Sequence, residues 1–274
     1  MSIFCPKLIA VDMDGTILNS SSELSARTKK ALRSAISCGV PVVVATGRMY
    51  PSALPVIKEI GINSPCIFYN GAVVREPVSG EILLEKGLGK ELTAEVVSFF
   101  REEGWYIQIY SDDRLYVKDS GDPRSRFYET ISKISPVSLG EHFWDFKVDS
   151  TKLLGIALDE INFALMSEKT KLRFEGRVYT ATSWGAFVEI THPDVNKAKG
   201  LALVAERLGI DPKDVLAIGD GVNDTEMIGW AGHGVAMGNA PDLVKAAANE
   251  TAPDNDSDGA AIIVERYFCR GDQQ

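Results

Sequence analysis

Apolar positions near the start of the chain come as short solid blocks at Leu8–Val11, 41–45 and 66–69. Unbroken runs of this length, ended by polar or glycine positions, predict strands buried on both faces. Between them, 25–38 and 49–60 have helix-forming composition, the first with apolar spacing at Leu32, Ala35 and Ile36. Each stops at a glycine suited to a helix C′ position, Gly39 and Gly61. Strand, helix, strand, helix, strand is the rhythm of a parallel sheet with right-handed crossovers, where ligands bind beyond the carboxyl ends of strands. Asp12, Thr46 and Asn70 all fall at such ends.

The rhythm changes after Gly71. Residues 72–74 and 82–84 bracket the turn Pro77-Val78-Ser79-Gly80, a hairpin pattern. Helical segments at 91–104, 124–134 and 162–172 then mix with strands at 105–110, 114–117, 152–158, 177–182 and 187–190, giving an α+β insert. From His192 the βα rhythm returns. A helix at 196–208, a turn at Asp211-Pro212, a strand at 215–219, a helix at 223–230, a strand at 234–237 and helices at 242–248 and 259–267 follow. The expected fold class is α/β: a Rossmann-like doubly wound parallel sheet from 1–82 and 190–274, with an α+β domain inserted at 83–189.

Composition narrows the functional classes. With 274 residues, 45% of them hydrophobic, the chain can bury a large core. A net charge of -9 provides no basic field for nucleic acid or an anionic membrane, so any phosphate must be held by local charge. No apolar run approaches the ~18 residues of a membrane span. Cys5, Cys38, Cys66 and Cys269 form no CxxC pair and no zinc-like spacing with His142, His192 or His233, and are expected to be reduced, mostly buried thiols. The first strand begins within a few residues of the amino terminus, which leaves no room for a signal sequence and makes a cytoplasmic protein the expectation.

The first apolar block runs into Asp12-Met13-Asp14-Gly15-Thr16. If the backbone stays extended through Met13, Asp12 and Asp14 share a face, and two close carboxylates call for a divalent cation or a split in their pKa values. The strand at 215–219 ends in a second acidic loop, Asp220-Gly221-Val222-Asn223-Asp224. A hard ion such as Mg²⁺ suits Asp12, the Asp14 carbonyl and Asp220, with Asp224 direct or through water. Taken alone, Asn223 and Asp224 also fit helix caps. Thr46-Gly47 offers a hydroxyl and backbone donors for phosphate oxygens, and Lys197 offers a cation, with Lys199 competing for that role.

In order and placement these segments resemble the haloacid dehalogenase superfamily of phosphohydrolases, specifically the Cof-type, sugar-phosphatase-like branch with an inserted type IIB cap. Asp12–Thr16 matches the first motif, 45–48 the second, Asn196-Lys197 the third and 219–224 the fourth. Tyr69-Asn70-Gly71-Ala72 also looks like this branch, and Lys197 rather than Lys199 fits its usual spacing to Leu208-Gly209-Ile210. The resemblance implies a phosphatase acting on small-molecule phosphate esters. Asp12 would be the nucleophile and Asp14 the general acid and base. Thr46, Gly47, Lys197 and Asn223 would bind phosphate, and Asp12, Asp14, Asp220 and Asp224 would hold Mg²⁺. It implies no nucleic-acid or membrane partner and a monomer or homodimer.

The insert, acting as a cap, would set specificity. Its aromatics Trp105, Tyr106, Tyr110, Tyr116, Trp144 and Trp184 fit a hydrophobic core better than a substrate ligand. His192 beside Pro193 reads as a hinge or surface residue, Arg48 equally as a phosphate partner or a structural ion pair in a first helical turn, and the run 254–258 as a solvated helix-entry loop. Two other readings share the fold: a sugar phosphomutase that returns the phosphoryl group to sugar, and a non-catalytic phosphate-binding regulator.

Overall fold

The computed structural model describes residues 4–183 and 185–268. Trp184 and Cys269 lie outside the described residues. Along the chain come β1 (Leu8–Val11), α1 (Ala26–Ser37), β2 (Val42–Val44), α2 (Tyr50–Ile60), β3 (Cys66–Phe68), β4 (Val73–Arg75) and β5 (Ile82–Glu85). Next are α3 (Lys90–Glu102), β6 (Ile107–Ser111), β7 (Arg114–Val117), α4 (Pro123–Ser132), β8 (Val137–Ser138), β9 (Lys152–Ile156), α5 (Glu160–Arg173), β10 (Tyr179–Ser183) and β11 (Phe187–Thr191). The last part holds α6 (Lys197–Leu208), β12 (Val215–Gly219), α7 (Thr225–Trp230), β13 (His233–Ala236), α8 (Asp242–Ala247), β14 (Glu250–Thr251) and α9 (Gly259–Phe268).

These elements form two compact units. One holds the described residues up to Gly47, then Ala53–Leu84 and the described residues from Asn196 onward; the other holds Arg48–Ser52 and Glu85–Val195. The first is built on a parallel sheet of order β14-β13-β12-β1-β2, continued by a parallel bridge from Ala45 to Ile67 at the edge of the β3-β4-β5 sheet. β1, β2 and β12 are buried along their whole length, as solid apolar blocks require. On one face Leu8, Ala10, Val43 and Val215 pack with Leu201 and Val204 of α6. Each of the valines and leucines contributes about 1.5–3 kcal/mol by leaving water.

The second unit carries a sheet of order β10-β11-β9-β6-β7-β8, antiparallel except for β7 with β8. Its core joins Ile107, Ile109, Leu153, Val188 and Ile190 to Phe100, Met166 and Phe174 from the helical side. Trp105, Tyr116 and Trp144 pack against this cluster, while Tyr106 and Tyr110 are buried, so aromatic structure rather than exposed stacking surface is what these residues supply.

Several expectations are corrected. Cys5 and Cys38 are exposed and only Cys66 of the described cysteines is buried, where burial pushes its thiol up to about 12. The expected helix at 223–230 is a 3₁₀ turn, Val222–Asp224, followed by α7. Residues 254–258 are not merely solvated: Asp256 accepts from the Ser20 amide at 2.8 Å, and Asp258 accepts from the hydroxyls of Ser25 and Thr28. Arg48 and Thr46 precede α2 rather than opening it, because α2 starts at Tyr50.

Candidate active site

β1 ends in a tight turn rather than an extended run. The Met13 carbonyl accepts the amides of Thr16, Ile17 and Leu18 at 3.3, 3.1 and 2.9 Å, which curls the chain directly after Asp12. Gly15 is required there: its φ is +75°, and a Cβ would lie 2.2 Å from Asp220 Oδ2. Asp12 is left 6% exposed, while Asp14 is only half-buried and its carboxylate is not part of the acidic cluster that forms beside Asp12.

That cluster joins two loops, those after β1 and β12, at the carboxyl end of the parallel sheet. Carboxylate oxygens of Asp12, Asp220 and Asp224 all lie within 4.8 Å of one another. Lys197, the first residue of α6 and 1% exposed, places Nζ 2.7 Å from Asp12 Oδ1 and 2.6 Å from Asp224 Oδ1. Asn196 caps the helix by accepting the Lys199 amide at 2.8 Å, which fixes where Lys197 starts. Lys199 enters through its backbone amide, as the donor to that cap.

Asp224 is wholly buried and serves as an anchor. Its Oδ2 accepts the amides of Asp220 and Gly221 at 3.1 and 2.9 Å, while Oδ1 takes Lys197. Both of its oxygens are therefore engaged by donors. Asp220 accepts from the Thr16 hydroxyl at 2.9 Å through Oδ1 and from the Asn239 amide at 3.1 Å through Oδ2.

Electrostatics at the cluster are unbalanced. Burial, opposed by Lys197 and reinforced by Asp224, Asp220 and Asp14, holds the Asp12 carboxyl well above the usual range. Burial and the Asp224 charge push Asp220 up to about 7, against the Thr16 hydrogen bond. Burial works against the Lys197 charge, yet Asp12 and Asp224 together raise its pKa. With Asp224 occupied by its own donors, the hard carboxylate oxygens of Asp12 and Asp220 fit a divalent cation, whose charge would favour their ionised forms.

A second group borders the same strand ends. Thr46 is buried and Gly47 half-buried in the loop after β2. The Asn70 amide donates to the Thr46 carbonyl at 3.0 Å, and Asn223 Nδ2 donates to Asn70 Oδ1 at 2.9 Å. Tyr69, Asn70 and Gly71 have φ of 51°, 58° and 106°, a run of left-handed backbone that holds Asn70 in place. Asn223 thus reaches Asn70, a pairing that no sequence motif announces. His192 lies in the other unit, where its Nδ1 accepts the Asp194 amide at 3.1 Å.

Thr16, Asn70 and Asn239 are the site's partners that sequence reasoning left without a role. Asn239 follows the end of the buried strand β13, the same signal that marked Asp12, Thr46 and Asn70.

A family model described as haloacid dehalogenase-like hydrolase matches residues 9–264. The chain belongs to that family. This haloacid dehalogenase-like hydrolase is 27% identical to the phosphatase YwpJ of Bacillus subtilis, over 96% of its own length and 100% of that protein's. It is 32% identical to YcsE of the same organism, a 5-amino-6-(5-phospho-D-ribitylamino)uracil phosphatase, with 95% of each chain covered. Among solved structures, a haloacid dehalogenase-like hydrolase from Bacteroides thetaiotaomicron superposes with a TM-score of 0.86 at 30% identity, covering 96% of this chain and 100% of the other. The hydrolase is an enzyme, and phosphatase is the class its relatives and its acidic site support. Among the described residues no helix is long and apolar enough to cross a membrane.

Proposed function

We propose that this hydrolase is a Mg²⁺-dependent phosphatase of small-molecule phosphomonoesters, sugar phosphates or similar metabolites, working through an aspartyl-phosphate on Asp12. The observation that carries the reading is the buried Lys197 ammonium held between Asp12 and Asp224. Such an arrangement fixes one oxygen of Asp12 and leaves the other to attack. Asp12, Asp220 and the Asp14 carbonyl would hold Mg²⁺, which when bound would supply charge neutralisation for the phosphoryl group. Asp224, its oxygens engaged by Lys197 and two amides, acts by anchoring that lysine and the Asp220 loop.

In the first step Asp12 attacks phosphorus, the bond to the leaving oxygen breaks, and Asp14 gives its proton to the departing alkoxide. Lys197 and the Thr46-Gly47 loop balance charge on the transferring oxygens. In the second, Asp14 takes a proton from water, which attacks the acyl-phosphate, frees inorganic phosphate and restores Asp12. The half-buried position of Asp14, apart from the carboxylate cluster, suits a group that trades protons with a leaving group and with water. In this reading 1–82 and 190–274 are the catalytic core, and the cap at 83–189 selects the leaving group.

The test is phosphate release from sugar phosphates, nucleotides, p-nitrophenyl phosphate and the phosphoribitylaminouracil ester for which YcsE and other relatives are named. Wild type should release phosphate with Mg²⁺, lose the activity to chelator and regain it when Mg²⁺ is restored. Asp12→Asn should be inactive, at least ~10³-fold down. Release by Asp12→Asn at the wild-type rate, or release insensitive to chelator, would refute the mechanism.

A further inference from the structure

We infer that Asn239 is a positioning residue for Asp220, setting the direction of its carboxylate for a divalent cation; the inference rests on the metal reading proposed above. Asn239 follows β13, in a loop to which that reading gives no part. Its Nδ2 donates both to Asp220 Oδ2 at 3.1 Å and to the Gly15 carbonyl at 2.9 Å, tying the acidic loop after β12 to the turn after β1. Its own Oδ1 accepts the Asn255 amide at 3.2 Å, and Asn255 Nδ2 donates onward to the Leu18 carbonyl at 3.0 Å. One side-chain amide therefore connects the loops following β1, β12, β13 and β14.

The consequence for Asp220 is geometric. Thr16 holds Oδ1 and Asn239 holds Oδ2, so the carboxylate plane is set by two donors from different loops. A carboxylate fixed in this way presents its remaining lone pairs in one direction, and no rotational freedom need be lost when an ion arrives. Outer partners of a ligating group act on metal affinity by this route. Asn239 is itself exposed, so its removal opens no core cavity.

The test uses Mg²⁺ alone and the full-length protein, with binding followed by titration calorimetry. Asn239→Ala should weaken Mg²⁺ about tenfold. Asn239→Ser, too short to reach both acceptors, should do the same and serves if the alanine variant folds poorly. Asn255→Ala keeps the backbone amide that Asn239 accepts and removes only the bond to Leu18, and its Mg²⁺ affinity should stay within about twofold of wild type. In turnover assays, Asn239→Ala should need more Mg²⁺ for half-maximal rate, with the ester KM unchanged and kcat largely recovered at saturating Mg²⁺. Wild-type Mg²⁺ affinity in a folded Asn239 variant would overturn the inference and leave the proposed function standing. Absence of Mg²⁺ binding by the wild type would overturn the metal reading itself, and this inference with it.

Discussion

Lys197 occupies a position that physics disfavours for a cation. It opens α6, where the helix dipole is positive, and it is buried. Two short contacts to carboxylates offset both costs. Lys197→Met would keep the volume and leave Asp12 and Asp224 facing each other without a counter-charge. That variant should lose ~3–5 kcal/mol of stability near neutral pH, read by denaturant unfolding of the metal-free protein. Stability equal to wild type would mean that the two acids are not ionised together. At this scale the sequence was informative where residue type and strand-end placement coincide, as for Asp12 and Asp220, while Lys197 was separated from Lys199 only by the family resemblance. It was silent on the contact between Asn223 and Asn70, because a pairing across 153 positions leaves no local pattern. It was equally silent on Asn239, whose two acceptors are loops brought together only by folding.

Among elements, the left-handed segment after β3 carries the sharpest constraint. At Gly71 a Cβ would meet the Asn196 carbonyl oxygen at 2.2 Å, and Asn196 is the cap that places Lys197. Gly61 has a comparable φ of +88° but open space around it. Gly61→Ala should therefore cost only backbone strain, about 1 kcal/mol, with activity kept. Gly71→Ala should cost at least ~2 kcal/mol and reduce kcat as well, since the helix start must shift. Thermal unfolding and phosphate release on the same pair of variants separate strain from collision. Solid apolar blocks and capping residues made most elements legible: Ser25 caps α1 and Asn196 caps α6 at the positions where the pattern begins. The two-residue strands β8 and β14 were not legible, because so short a strand is defined by its partner and not by its own periodicity. The 3₁₀ turn before α7 was missed for a related reason: the Asp224 carboxylate accepts the amides that a continuous helix would leave to an ordinary cap.

For the whole molecule, the acidic cluster links stability to pH. Asp220 has its carboxyl raised from 3.8 to about 7, so the folded metal-free protein holds this proton more tightly than the unfolded chain does. The stabilisation is complete below pH 3.8 and is lost as pH rises toward about 7. Asp220→Asn does not titrate there, so its melting temperature relative to wild type should climb across that window in chelator. Saturating Mg²⁺ should reverse the order by stabilising wild type through binding. A constant difference between the two proteins across the window would contradict the raised Asp220.

The discontinuity of the parallel sheet has a consequence in time. β1 is made early, yet one of its two sheet neighbours is β12, which ends at Gly219. At about 5–20 residues per second, a ribosome leaves that edge of β1 without its partner for roughly ten to forty seconds. For most of that interval Asp12 lacks Lys197, and for all of it Asp224, while an entirely apolar strand offers unpaired amides and carbonyls to any neighbouring nascent chain. The sheet of the second unit has no such wait, because β6 through β11 are contiguous in sequence. Its strands have all been synthesised before β12 emerges, so the strand made first is among the last to be completed, and solubility during synthesis depends on how well that edge is shielded.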